Sequence, residues 1–111
     1  MINVMEFGKY KALIMFDPEI QMMRGEFINL NGGADFYAAD VESLKHEGEI
    51  SLKVFLEECA RRGIEPTKAY SGQFVLRTSK ESHEAAAIKA ASEGVSLNQW
   101  ASKVIDQAAF A

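Results

Sequence analysis

Gln73, Val75 and Arg77 alternate with Phe74 and Leu76 in the run Ser71-Gly72-Gln73-Phe74-Val75-Leu76-Arg77. A period of two is that of a β-strand, here with one apolar face and one face carrying Gln and Arg. Those side chains suit base edges in a major groove, Arg pairing with guanine and Gln with adenine. Val75 cannot hydrogen-bond and offers at most contact with a thymine methyl group. Further on, Ser96, Leu97 and Asn98 open a helix, and the free backbone N–H groups of a helix start suit a DNA phosphate. The plain alternative is a solvated strand face and an ordinary helix cap.

Asp17, Glu19, Asp35, Asp40 and Glu57 are carboxylates, oxygen ligands of the kind that Mg²⁺ takes. Their positions fit simpler roles: a turn before Pro18, a helix start at Asp40, a hairpin beside Asp35, a solvated helix face. His46 and His83 have no companions at metal-ligand spacing, and no metal is assigned to either. Cys59 falls on an apolar helix face and reads as a small core residue. No Gly-rich phosphate loop is present. The expectation is a protein without catalytic residues, metal or cofactor.

The elements around the tail follow from spacing. Ser79 caps a helix rich in Ala, Gly94 suits its end, and Ser96 caps the next. In the second helix Leu97, Trp100, Ala101, Val104, Ile105 and Ala108 form one apolar stripe. A unit of about 40 residues without disulfide or metal rarely folds alone, and one strand is not a sheet. Two chains pairing their strands antiparallel over four helices satisfy both demands. Phe74, Leu76, Trp100, Val104 and Ile105 then form the shared dimer core. The order strand, helix, Gly, Ser-capped helix resembles the ribbon-helix-helix fold of the Arc and MetJ class of DNA-binding dimers.

The front part reads as an antiparallel three-stranded meander plus a helix, within an α+β class. Residues 9–16 alternate, with Tyr10, Ala12, Ile14 and Phe16 on one face and Leu13 and Met15 on the other, so both faces are partly covered. Asp17-Pro18-Glu19 is a turn, residues 22–30 a second strand, Asn31-Gly32-Gly33 a hairpin turn and residues 34–38 a third strand. Residues 1–8 give little signal. Asp40 caps a helix reaching Arg62, with a kink or break expected near Gly48 to Ile50. Gly63 and Pro66 end it.

The chain has 111 residues and a net charge of −4. Residues 1–70 carry 12 Asp and Glu against 8 Lys and Arg, while residues 71–111 carry 4 of each sign. The tail lacks the general basic character of nucleic-acid binders, so a few placed groups must carry any DNA contact. The acidic front suits a basic protein partner. A single cysteine, no apolar run of membrane-spanning length and no secretory leader pattern lead to an expectation of a cytoplasmic protein with no membrane partner.

The runs Cys59-Ala60-Arg61-Arg62-Gly63-Ile64-Glu65-Pro66 and Lys68-Ala69-Tyr70-Ser71-Gly72-Gln73-Phe74-Val75-Leu76-Arg77, with His83 and Gly94-Val95-Ser96-Leu97-Asn98-Gln99-Trp100, resemble the HicB antitoxin family in its ribbon-helix-helix form. The resemblance runs from about Tyr10 to Ile105. It implies a partial RNase H-like domain over residues 1–66 that covers a HicA-type ribonuclease toxin, a linker over 67–72, and a ribbon-helix-helix over 73–111 that dimerises and represses the operon at operator DNA. Assembly beyond the homodimer is left open. Asp17, Glu19, Glu26 and Asp35 are the expected rim contacts for the basic toxin. Thr78-Ser79 replaces the Leu or Ile and Pro that family members often carry, and Gly48-Glu49-Ile50 interrupts a helix that is usually continuous. The rival reading is a stand-alone ribbon-helix-helix regulator whose front domain senses a ligand or enlarges the dimer.

Overall fold

Alternation in the front half produces strands wherever apolar and polar residues change places at every step. The computed structural model describes residues 3–111. Its elements are β1 (Asn3–Phe7), β2 (Tyr10–Asp17), β3 (Met22–Phe27), β4 (Asp35–Ala38), α1 (Val41–Arg62), α2 (Lys80–Ser92) and α3 (Leu97–Ala109). The chain divides into two units, the first ending at Ser71 and the second Gly72–Ala111.

The first unit is a four-stranded antiparallel sheet in the order β1-β2-β3-β4. The expected meander of three strands therefore gains a strand at its start. Phe7 pairs with Tyr10, which leaves Gly8 and Lys9 as a two-residue hairpin. Gly8 has φ 64°, the conformation a type II′ turn requires at its first central position. The turn between β3 and β4 also differs from expectation. Its left-handed residue is Asn29, at φ 62°, rather than the Asn31-Gly32-Gly33 run.

α1 covers one face of the sheet. Phe7, Phe27 and Phe36 meet beneath it with ring centroids 5.0 to 5.7 Å apart, and Ala12, Leu30, Ala34, Ala38, Leu44 and Leu52 are buried in the same core. Edge-to-face and tilted rings at this spacing add to simple area burial. The expected kink at Gly48 is absent: α1 runs unbroken from Val41 to Arg62. Gly48 is buried, and a Cβ there would overlap the Phe7 ring and press on Phe36 at 3.0 Å. Its loss of helix propensity is offset by the close approach of helix to aromatic trio. Asp40 accepts from the Ser43 N–H at 2.8 Å to start α1. Gly63 ends it at φ 68°, with the Ile64 N–H bonded to the Cys59 carbonyl.

Residues after α1 return to the sheet. Leu30 bridges Thr67, the Asn31 N–H donates to the Pro66 carbonyl and the Lys68 N–H to the Asn29 carbonyl, each at 2.9 Å. The Asn31 side chain donates to the carbonyls of Glu65 and Thr67.

In the second unit Ser79 caps α2 and Ser96 caps α3. Gly94, at φ 74°, turns the chain between them, with the Val95 N–H bonded to the Ala90 carbonyl. The expected strand over residues 71–77 is not formed in the single chain. A strand is defined by its ladder, and among the described residues no β-ladder runs along this segment.

Candidate partner and nucleic-acid interfaces

Pairing register fixes which sheet residues share the face away from α1. Val4 lies opposite Leu13, Leu13 opposite Glu26, and Glu26 opposite Asp35. The adjacent row is Met15, Arg24 and Tyr37, and Asp17 stands opposite Met22 at the sheet's end. Arg24 is at the centre. Its guanidinium donates to the Asp35 carboxylate at 2.6 Å and lies 3.6 Å from Glu26. The hydrogen bond and charge of Asp35 push the Arg24 pKa further above its already high ordinary value. Arg24 Nε is enclosed without a hydrogen-bond partner among the described residues, and the head group is held through Nη2.

This face joins residues expected to contact a partner. Asp17, Glu26 and Asp35 all belong to it, and Glu19 sits in the turn after β2, its N–H bonded to the Asp17 carboxylate at 3.0 Å. Reasoning from sequence missed Arg24, Met15 and Tyr37. The available signal was the apolar pair Leu13 and Met15, out of phase with the inward Ala12 and Ile14.

In the second unit Gln73, Phe74, Leu76, Ala101, Ile105 and Asp106 are among the residues lining a groove of about 460 Å³. Phe74 is 71% exposed and Leu76 64%, while Trp100 is half-buried and Val104 and Ile105 are exposed. The stripe on α3 is thus only partly covered within one chain, its Leu97, Trp100 and Ala101 half-buried and its Val104, Ile105 and Ala108 exposed, and Ala90 is the one buried residue described in this unit. Val75 and Arg77 are also exposed. Ser96 forms a capping box: its hydroxyl accepts from the Gln99 N–H at 3.0 Å, and its own N–H donates to the Gln99 side chain at 2.9 Å. Leu97 and Asn98 follow in the first turn, where backbone N–H groups have no intrahelical acceptor.

Of the carboxylates weighed for Mg²⁺, Asp40 is a helix cap. Hydrogen bonds from the Ser43 backbone and side chain hold it below the ordinary aspartate range. Among the described residues, no group of three or more His, Cys, Asp or Glu is placed to hold a metal ion. No helix among them is long and apolar enough to cross a membrane.

The fold and these faces define a two-part α+β protein with an acidic sheet surface and an unfilled apolar tail. A family model described as the HicB family matches residues 55–105, from the second half of α1 through most of α3. The chain is similar to that family over this stretch. Searches of curated proteins and of solved structures found no match.

Proposed function

We propose that this protein is the antitoxin of a HicA/HicB-type toxin–antitoxin pair. Its first unit acts as a partial RNase H-like domain without catalytic activity and neutralises a HicA-type ribonuclease toxin by direct binding. Its second unit pairs residues 73–77 with those of another chain as a ribbon-helix-helix, and the dimer represses its own operon. The observation that carries this reading is the HicB family match over residues 55–105. Two further observations support it. The exposed Phe74, Leu76, Val104 and Ile105 need a second chain to cover them, because apolar surface of this extent is costly to leave in water. The acidic face of the sheet suits a basic partner.

The match begins at residue 55 and leaves the sheet outside it. That favours a second reading, a stand-alone ribbon-helix-helix regulator whose front unit senses a ligand or enlarges the dimer. Co-expression separates the two. The chain should restore growth to cells expressing the small basic protein encoded beside its gene. Operator repression without such a neighbour, or without rescue, supports the regulator instead.

A further inference from the structure

We infer that the sheet face opposite α1 is the docking surface for the basic partner, with Leu13, Met15 and Tyr37 as its apolar centre and Asp17 and Glu26 on its acidic rim. This rests on the antitoxin reading and assigns the surface that reading requires. An antiparallel sheet with one solvated face normally carries polar residues there. Here Val4, Leu13, Met15, Met22 and Tyr37 all occupy the open face, and Tyr37 is 42% exposed. A Tyr and a Met around a central Arg are residue types enriched at interface centres.

Charge selects the occupant. The face holds Glu6, Asp17, Glu26 and Asp35 against Lys11 and Arg24. Glu6 lies opposite Lys11, and Arg24 is bound to Asp35. The remaining charge is negative, which repels nucleic acid and anionic lipid. It also repels a second copy of the same face, since a twofold contact places like on like. A basic protein meets it with opposite sign. Because Asp35 and Glu26 hold Arg24 in place, less side-chain freedom is lost on binding than for an untethered Arg.

The test uses the full chain and, as probe, the purified product of a neighbouring reading frame that encodes a small basic protein. Met15→Asp and Tyr37→Ala should each weaken binding by about tenfold or more, while Val54→Asp on the exposed surface of α1 should leave it unchanged. Hydroxyl-radical footprinting of the wild-type complex gives a second readout that does not depend on variant folding. Oxidation of Met15 and Tyr37 should fall several-fold on complex formation. Tight wild-type binding with Met15 and Tyr37 still fully oxidised, or binding lost through Val54→Asp alone, overturns this surface while the antitoxin reading stands. No wild-type binding at all overturns both.

Discussion

The Tyr70 hydroxyl donates a 2.7 Å hydrogen bond to the side-chain oxygen of Asn29, a residue 41 positions earlier and in the left-handed conformation. With the Asn31 side chain spanning the carbonyls of Glu65 and Thr67, it binds the connector to the β3–β4 loop. Asn31→Ala removes two hydrogen bonds worth roughly 0.5–1.5 kcal/mol each. The variant should be cleaved faster between residues 65 and 70 in limited proteolysis, and Tyr70→Phe should show a smaller effect. Cleavage of Asn31→Ala at the wild-type rate would contradict this.

Gly48→Ala tests the contact between α1 and the aromatic trio. In an exposed helix the change stabilises by about 1 kcal/mol. Here the new methyl overlaps Phe7, and overpacking costs about 1–3 kcal/mol. The net effect on the thermal midpoint should be a decrease. Gly33→Ala, with open space around its Cβ, should leave the midpoint almost unchanged.

Acid sensitivity follows from the α1 cap. Hydrogen bonds from Ser43 lower the Asp40 pKa from its ordinary 3.8 in the folded state. The cap's contribution is therefore complete above 3.8 and is lost as the pH falls through the lower folded value. Glu58 adds the same sign through Arg61 and Arg62. In urea unfolding across acid pH, Asp40→Asn should show a shallower loss of stability than wild type. Equal slopes would remove the Asp40 contribution.

Under the proposed function, substitutions in the tail should separate assembly from DNA reading. Val104→Asp and Phe74→Ala should weaken the dimer in sedimentation and lose operator binding together. Arg77→Ala should keep the dimer. Losing one bidentate Arg–guanine contact costs about 1–3 kcal/mol, counted once per subunit, so a gel-shift titration on the upstream DNA should show operator binding abolished at physiological salt. Wild-type DNA affinity in Arg77→Ala would leave the paired strand as a dimerisation element only.

Local chemistry was legible where it is carried by neighbours in sequence. Asp40, Ser79 and Ser96 are helix caps, and Gly63 and Gly94 turn the chain, because each acts within a few residues of itself. Strand β1 was not legible, since Asn3–Phe7 gains its pattern only when Phe7 meets Phe27 and Phe36. Gly48 misled for the same reason: propensity counts its missing side chain as a loss, while the long-range contact requires it. Three of the four expected partner carboxylates share one face because of strand register, which sequence alone does not provide. The clasp between Asn29, Asn31 and the connector left no local trace at all.

The central claim, that the first unit alone neutralises a toxin, is tested most directly by fragment rescue. The fragment should end at Ser71, because a cut after Pro66 removes Thr67, Lys68 and Tyr70 and with them part of the clasp. Residues 1–71 and residues 72–111 are each co-expressed with the toxic product of a neighbouring reading frame that encodes a small basic protein, and growth is followed. Growth should return with residues 1–71 and not with residues 72–111. Rescue by the tail fragment alone, with a folded and inactive front fragment, would contradict the account.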